Sequence, residues 1–391
     1  MMSRGIARVL GIGLSVSSPA CGNASAPQAV TDMHAATSTD VLQLGPPDVS
    51  YSPAHMSDDM LSEYQRIEIG DDADPTLKFD TLVPKAWAQV AKHEPIEHLL
   101  GSRTLIVMAP NRLAPGAPRA IVSVAKPQWE LPLDAWARMQ LTRAGYEEVS
   151  GRWFPGANGL YFDITGQRRN QSGRDLVRRF TVHYDGAHVF EMETSCAREL
   201  WDRHKEDFLR AHATFELHNR TGRTTEPRLT ASTVKPGFAV SYPASWSAER
   251  SASRVATVSG IQLRLIKPDG ATLAAYLVIK AERAPEAALD ALREAALATL
   301  RGTPIEPSSK LTALAVDEDP RAEAVEGWLG GYTAKAKMGS EDAALRFGFL
   351  RRGPLNISMI MLSPKPADDA MVSLRAQRCF EIARSSLELT P

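Results

Sequence analysis

The stretch KHEPIEHLLG, residues 92–101, combines side-chain types that bind a catalytic metal ion. It holds His93, Glu94, Glu97 and His98 within six residues. Histidine ligands and a glutamate base occur in zinc hydrolases, whose H-E-x-x-H motif places two histidines four residues apart on one helix face. A metal-dependent hydrolase is therefore the first chemistry to weigh.

The spacing of these residues argues against a shared metal ion. His93 and His98 are five positions apart, which turns their side chains by about 140° from each other on a helix. Pro95 lies between them, and a helix interior resists proline. The segment Arg250–Gly260, which aligns with this stretch in the internal repeat described below, contains none of these ligands. We expect a surface turn rather than a metal site.

The other signatures of catalysis are missing from the sequence. All nine histidines lie at or before His218. His204 and His212 share one side of a predicted helix, but eight residues correspond to about 12 Å, too far for one metal ion. The sequence has no G-x-S-x-G nucleophile motif and no phosphate-binding P-loop. We expect no catalytic residue, no cofactor and no metal ion.

One charged segment is a candidate binding surface. Gly166–Arg179 reads GQRRNQSGRDLVRR and is predicted to surround a hairpin loop. Its arginines are Arg168, Arg169, Arg174, Arg178 and Arg179. Such a loop can dock an acidic partner or lipid headgroups, and Trp153 or Trp328 would add an interface hot spot if exposed. The alternative is a solvated hairpin tip that discourages edge pairing.

A glycine-containing stretch has a structural interpretation. EGWLGGY, Glu326–Tyr332, contains three glycines, and two of them, Gly330 and Gly331, stand in a strand-like context. Glycine inside a strand is typical of a bulge or of a close backbone approach. We expect one of these rather than a ligand loop.

Length and composition restrict the class of protein. The 391 residues are enough for two domains. The chain is 43% hydrophobic and 23% charged, as globular proteins are. Its net charge of -1 gives no indication of nucleic acid or an anionic membrane surface as a partner.

The N-terminus carries an export signal. MMSRGIAR contains two arginines and no acidic residue, VLGIGLSV is a short apolar run, and the small residues Ser18 and Ala20 precede Cys21. This is the three-part arrangement of a secretory signal peptide, which we predict over residues 1–20. We therefore expect an exported, periplasmic protein.

The three cysteines leave alternatives open. Acylation of Cys21 would make the protein a lipoprotein with a membrane tether, but Ser18 and Pro19 depart from the usual lipobox, so simple cleavage before Cys21 is the alternative. Cys196 and Cys379 either form a disulfide, which an oxidising compartment permits, or are two buried thiols, which we favour.

Polar segments divide the chain into predicted domains. Residues 21–60 begin as a stretch rich in Ala, Ser, Thr and Pro and are predicted to be a flexible tether. Residues 218–235, HNRTGRTTEPRLTASTVK, are predicted to be a linker. The first domain is then predicted over residues 61–217 and the second over residues 236–391.

The two predicted domains repeat one another. FDTLVPKAW, Phe79–Trp87, and FAVSYPASW, Phe238–Trp246, share Phe, Pro and Trp at identical spacing. AIVSVAK, Ala120–Lys126, corresponds to AYLVIKA, Ala275–Ala281, and a predicted helix follows each. A repeat of this length indicates two copies of a whole domain.

The second part of each copy also matches. Phe180 aligns with Phe347, and Gly186 aligns with Gly353, in a predicted hairpin where Asp185 and Gly186 favour a tight turn. Each copy ends in a predicted helix that runs into TFEL or SLEL. An antiparallel sheet needs covers for its faces, and each copy supplies two helices for them. We predict an α+β fold of two tandem α/β/α sandwich domains, each a mainly antiparallel sheet flanked by helices.

This order of elements resembles the PsbP-like family. The shared features are a Phe-x4-Pro-x2-Trp opening and a terminal helix ending in Glu-Leu, over Thr76–Leu217 and again over Pro236–Leu389. The family includes the PsbP subunit of the oxygen-evolving complex, a Ran-binding nuclear import factor and DcrB-like bacterial envelope lipoproteins. The resemblance implies a binding or assembly role, and it carries over no catalytic residues.

We therefore expect a non-enzymatic, exported binding or assembly factor of the bacterial cell envelope. Its two duplicated domains would hold a protein partner, since linking two binding modules raises the effective concentration of the second. One alternative is a periplasmic immunity or chaperone protein that clamps a secreted effector. Another is a hydrolase with a site between the domains, which would need a deep pocket with converging polar groups.

Overall fold

The structure is a computed structural model that describes residues 57–390 with gaps. The gaps are residues 72–73, 92–101, 111–115, 157–158, 170–172, 174, 220–223, 235, 252–256, 285–286, 302, 304, 315–321, 323–324 and 339–340. The predicted signal peptide, Cys21 and the stretch 92–101 lie outside the described residues, so the predictions made for them stay predictions. Within the described part of the chain, no helix is long and apolar enough to cross a membrane.

The elements between residues 58 and 217 form a first unit. They are α1 (Asp58–Ser62), β1 (Tyr64–Asp71), β2 (Asp74–Pro84), β3 (Ala88–Ala91), β4 (Arg103–Ala109), β5 (Arg119–Ala125), α2 (Leu133–Arg143), β6 (Glu147–Gly156), β7 (Gly159–Arg169), β8 (Asp175–Tyr184), β9 (Val189–Ala197), α3 (Arg198–Ala213) and β10 (Glu216–Leu217).

The elements between residues 228 and 389 form a second unit. They are β11 (Arg228–Ser232), β12 (Phe238–Pro243), β13 (Ser247–Ser251), β14 (Val258–Ile266), β15 (Leu273–Arg283), α4 (Leu289–Leu300), β16 (Ile305–Pro307), β17 (Thr312–Ala313), β18 (Trp328–Met338), β19 (Glu341–Arg352), β20 (Leu355–Pro364), α5 (Ala370–Ser385) and β21 (Glu388–Leu389).

The two units share one topology. In the first, a small sheet has the order β1-β2-β10 and a large sheet has the order β3-β4-β5-β9-β8-β7-β6. In the second, the orders are β11-β12-β21 and β13-β14-β15-β20-β19-β18-β16, with β17 also paired to β18. The described pairings are antiparallel. The predicted α+β fold with a duplicated unit is therefore confirmed.

Helices cover both faces of each large sheet because successive strand residues point to opposite sides. In β9, Phe190 and Met192 pack in one core with Phe208 of α3, while Val189 packs in another core with Trp136 of α2.

The second unit repeats this arrangement. In β20, Met359 packs in one core with Phe380 of α5, while Ile360 packs in another with Leu300 of α4. Each unit is thus the predicted α/β/α sandwich.

The turn that opens each copy is also repeated. After β2, the backbone N–H of Trp87 donates to the carbonyl of Pro84 at 2.9 Å. After β12, Trp246 donates to Pro243 at 3.0 Å. Both tryptophans are buried. The shared Pro-x2-Trp spacing therefore corresponds to a turn that places the tryptophan side chain in the core.

The predicted hairpin turns are present. Gly186 has φ 108° and Gly353 has φ 50°, a region that favours glycine. The Oδ1 atom of Asp185 accepts from the backbone N–H of Ala187 at 2.7 Å and of His188 at 2.6 Å. The Asp-Gly pair therefore sets the β8–β9 turn in the expected way.

The two described cysteines are free thiols. Cys196 lies in the core under α3, and Cys379 lies in the core under α5. Burial raises the pKa of Cys196 to about 12 and raises that of Cys379 well above its ordinary value. The favoured interpretation, two buried thiols acting as small apolar residues, is confirmed.

Part of the predicted linker is a strand. β11 lies inside residues 218–235 and pairs antiparallel with β12, with Arg228 opposite Pro243. Just before it, the Tyr184 and Thr225 hydroxyls are hydrogen-bonded to each other. Residues 224–232 thus belong to the folded body. β11 is an edge strand with three exposed side chains. Exposed positions favour polar residues, and this composition is why the segment was predicted to be a linker.

The EGWLGGY stretch forms the predicted bulge. The register between β18 and β19 shifts between Trp328 and Gly330. Gly327 has φ 70°, and a Cβ there would lie 1.8 Å from the carbonyl oxygen of Arg351. The backbone approach at Gly327 therefore excludes any side chain.

Replacing Gly327 should destabilise the second unit strongly. We expect Gly327→Ala to lower the free energy of unfolding by about 3 kcal/mol or more, because it combines a left-handed backbone with a backbone clash. Gly270→Ala is the matched control, since Gly270 has φ 73° and open space around its Cβ position, and it should cost only about 1 kcal/mol. Urea denaturation measures both, and equal losses would contradict the close-approach explanation.

Candidate functional site

The structure places two of the predicted arginines against one tyrosine. Arg168 Nη1 donates to the Ala144 carbonyl at 2.7 Å, where α2 ends, and its guanidinium lies 4.6 Å from the centre of the Tyr146 ring. The guanidinium of Arg178 lies 5.7 Å from the same ring, and its Nη2 donates to Glu193 Oε2 at 2.5 Å. Both side chains therefore stabilise the α2 face of the first sheet.

The remaining arginines do not join them. Arg179 points to the α3 face, where it is buried and its Nε donates to Asp163 Oδ1 at 3.0 Å. Arg169 is exposed and pairs with Asp175 at 3.3 Å. Arg174 lies outside the described residues. The four described arginines therefore do not lie on one face, and partner binding by the segment stays a prediction.

The tryptophans named as hot-spot candidates are half-buried. Trp153 packs edge-on against Phe162 with ring centres 5.3 Å apart. Trp328 lies beneath the Arg384 guanidinium, which is 5.0 Å from its ring centre. Both therefore contribute to the cores of their own units, and a role in an interface stays a prediction.

A buried pair of carboxyl groups lies beside Arg178. Glu191 and Glu193 are two residues apart on β9 and face α2. The Nε1–H of Trp136 donates to Glu191 Oε1 at 2.7 Å. Burial raises the pKa of Glu191, although the Trp136 hydrogen bond and Arg178 oppose this. The protonated form of Glu191 is thus favoured relative to an exposed glutamate, while Glu193 is the counter-ion of Arg178.

The second unit has no equivalent of this pair. Glu193 lies opposite Phe180 in the first unit, whereas Ile360 lies opposite the aligned Phe347 in the second. Two residues earlier, Ser358 replaces Glu191. The carboxyl pair is therefore a property of the first unit, and its contacts stabilise α2 on the sheet.

Neutralising Glu191 should stabilise the first unit at high pH. A carboxyl whose pKa is raised on folding contributes stability below its unfolded pKa and loses it as pH rises through the folded pKa. We expect Glu191→Gln to raise the free energy of unfolding at pH 8, where the folded protein must otherwise hold a buried carboxylate, and to have less effect at pH 4.

Glu193→Gln is the matched control for this change. It leaves Arg178 without its buried counter-ion and should cost about 3 kcal/mol at pH 8. Urea denaturation of both variants at pH 4 and pH 8 measures the difference. Destabilisation by Glu191→Gln at pH 8 would contradict the raised pKa.

A surface groove of about 290 Å³ lies on the outer face of the small sheet in the first unit. At its floor, Asp80 Oδ2 is hydrogen-bonded to His218 Nε2 at 2.5 Å, and Asp80 Oδ1 pairs with Arg66 at 3.1 Å. Glu68 and Glu216 lie directly opposite Asp80 on the neighbouring strands. The buried aspartate thus orients a histidine that is about one-third exposed.

This arrangement can hold an imidazole for proton transfer, since an aspartate fixes the ring and its tautomer. Ala239 and Thr390 occupy the positions of Asp80 and His218 in the second unit. Among the described residues, no group of three or more His, Cys, Asp or Glu side chains is placed to hold a metal ion.

The contact between the two units is built around Glu130, which precedes α2. Its Oε2 accepts from Arg378 Nη2 of α5 and from Arg228 Nη2 of β11, both at 3.1 Å, and its side chain is 1% exposed. Its backbone N–H donates to Glu226 at 3.1 Å, and Glu226 also accepts from Ser245. We call Glu130, Glu226, Arg228 and Arg378 the junction cluster.

Apolar contacts surround the junction cluster. Leu374 and Met371 of α5 pack into the core beneath α2 of the first unit. The Arg375 guanidinium lies 4.5 Å from the ring centre of Trp129. Burial lowers the pKa of Arg378, but the Glu381 and Glu130 carboxylates outweigh it and raise that pKa overall. The junction thus combines buried charge with packing.

Breaking the junction cluster should loosen the two units. We expect Glu130→Gln to cost about 3 to 5 kcal/mol, because it removes the counter-ion shared by two guanidinium groups, and to increase the radius of gyration in small-angle X-ray scattering. The control is Glu68→Gln, which removes an exposed pair with Lys78 and should change little. An unchanged radius of gyration with unchanged stability would contradict the structural role of Glu130.

Comparisons with known proteins give weak structural similarities. No protein-family model matches the chain, and no curated protein matches it. Among solved structures, the cyanobacterial PsbP of Synechocystis sp. PCC 6803 is 14% identical, with a TM-score of 0.30, over 40% of this chain and 93% of that chain. LpqN of Mycobacterium tuberculosis, described as involved in cell envelope biogenesis, is 13% identical, with a TM-score of 0.27, over 42% of this chain and 96% of that one.

The Ran-binding protein Mog1p of Saccharomyces cerevisiae is 11% identical, with a TM-score of 0.26, over 40% of this chain and 97% of that chain. The cyanobacterial PsbP and the Ran-binding protein are of two kinds named by the resemblance noted in the sequence. At such values they do not assign the chain to a family, and the fold class rests on the chain's own topology.

Proposed function

We propose that this chain is a non-enzymatic, exported binding or assembly factor of the bacterial cell envelope that holds a protein partner with both units. The junction cluster is the observation that supports this. Glu130 receives two guanidinium groups from the other unit in a buried setting, so the two lobes keep one relative orientation. A fixed orientation lowers the entropy lost when both lobes engage one partner.

The hairpin tip of the first unit is the proposed contact for an acidic region of that partner. Arg169 is 74% exposed there and lies opposite Asp175. At the equivalent tip of the second unit, Lys337 lies opposite Asp342, which also pairs with Lys365. Arg169 and Lys337 occupy the same register position in their units although the neighbouring sequence differs. They can therefore be mutated as a matched pair.

Recovery of a partner from the solubilised envelope fraction, with mass spectrometry, tests the proposal. We expect the mature protein to recover a specific partner. The Glu130→Gln variant should recover at least about ten-fold less of it, because losing the fixed orientation removes the affinity gained when both lobes bind at once. Glu68→Gln should recover as much as the wild type.

Two further arms separate the alternatives. Arg169→Ser should reduce the amount of partner recovered roughly five-fold, which corresponds to a loss of about 1 kcal/mol in binding free energy. Lys337→Ser should leave the recovered amount unchanged. The purified protein should not turn over generic ester or peptide substrates. Turnover that is lost in His218→Ala, with no specific partner recovered, would replace the proposal by a hydrolase using the groove.

A further inference from the structure

One buried histidine joins α3 to the first sheet. His212 is 1% exposed. Its Nδ1 is hydrogen-bonded to the Thr181 hydroxyl of β8 at 3.1 Å, and its Nε2 to the Thr194 hydroxyl of β9 at 2.9 Å. Both ring nitrogens are thus occupied by hydroxyl groups. Since a hydroxyl can donate or accept, these contacts suit a neutral imidazole.

The charged and titratable groups around His212 favour its neutral form. From β8, Arg179 and His183 face it, and His183 Nε2 is hydrogen-bonded to the same Thr181 hydroxyl at 3.0 Å. From β7, the Asp163 carboxylate is engaged by Arg179, and burial raises the pKa of Tyr161 to about 12, so this phenol is uncharged.

The neighbouring strand β2 adds no charge to this contact. Thr81 of β2 donates its hydroxyl to the Ala211 carbonyl of α3 at 2.8 Å. A proton on His212 would therefore meet a guanidinium and a second imidazole, and the nearby Asp163 carboxylate is already paired with Arg179.

The second unit makes the same helix contact without a histidine. Arg384 of α5 corresponds to His212, because each follows the aligned phenylalanines Phe380 and Phe208 by four residues. Gly348 and Met361 stand where the first unit has Thr181 and Thr194. All nine histidines of the chain lie at or before His218, so the second unit has none.

We propose that the contact of α3 with its sheet is an acid-sensitive switch confined to the first unit, in which protonation of His212 releases the helix. The His212 ring bridges β8 and β9, so a buried positive charge that faces the Arg179 guanidinium would destabilise a contact shared by three elements. An arginine at the equivalent position keeps its charge throughout the pH range in which histidine titrates.

The direction of the effect follows from the pKa of His212. Burial, followed by Arg179 and His183, lowers this pKa well below its ordinary value. A base whose pKa is depressed on folding contributes stability above its unfolded pKa of about 6.5 and loses it as pH falls below that value. Three other described histidines have different surroundings, because His188, His204 and His218 each lie beside a carboxylate.

Hydrogen exchange on the full mature chain tests the switch. Exchange of amides in α3 and α5, corrected for intrinsic rates, would be measured by mass spectrometry between pH 7.5 and pH 5. We expect exchange in α3 to rise about ten-fold per pH unit below pH 6, the value for uptake of one proton. Exchange in α5 should stay constant.

Two variants assign the effect to His212. Glutamine can both donate and accept hydrogen bonds, so His212→Gln should abolish the pH slope in α3. His204→Gln, on the same helix, should leave it intact. Parallel behaviour of α3 and α5 in the wild type, or a slope that persists in His212→Gln, would overturn the proposal.

Histidine ring NMR of the wild type supplies a measurement that does not depend on folding of a variant. The His212 signal should stay neutral while α3 is protected and titrate only as the helix is released. Titration near pH 6.5 with α3 still protected would also overturn the proposal.

Discussion

The buried carboxylate of Glu130 is the constraint on which the two-unit arrangement depends. A carboxylate taken out of water loses several kcal/mol of hydration unless counter-charges and hydrogen bonds replace it. Both guanidinium groups that replace it, those of Arg228 and Arg378, belong to the second unit. The environment of Glu130 in the first unit therefore requires the second unit in place, and the apolar contacts of Leu374 and Met371 with the core beneath α2 reinforce the same orientation.

Around this junction, the two units share their apolar frame and differ in their polar interior. The aligned residues Phe208 and Phe380 are both fully buried, as are Phe180 and Phe347. A core position of fixed volume tolerates few substitutions, because both cavities and overpacking destabilise. The polar positions differ instead: the carboxyl pair on β9 and the Asp80–His218 pair occur in the first unit alone, so the units share a fold but not a chemistry.

Sequence patterns predicted the frame because its signals are local and occur twice. The Pro-x2-Trp turn, the Asp185-Gly186 hairpin and the two terminal helices each depend on residues a few positions apart. The junction cluster has no such signal. Glu130 and Arg378 are separated by 248 positions, and a lone glutamate in a loop looks like any solvated residue. The described arginines of the segment 166–179 are divided for a related reason, since neighbours on a strand point to opposite faces, as Arg178 and Arg179 do.

The two faces of the first sheet also separate the junction from the histidine contact. Leu374 and Met371 of α5 pack on the α2 side of that sheet, whereas His212 lies on the α3 side with Thr181 and Thr194. A sheet whose side chains alternate between two cores can lose packing on one face while the other face keeps its contacts. Release of α3 would therefore expose apolar surface of the first unit while Glu130 still holds the lobes together. A change in acidity would then open the α3 face of the first unit without altering the distance between the two lobes.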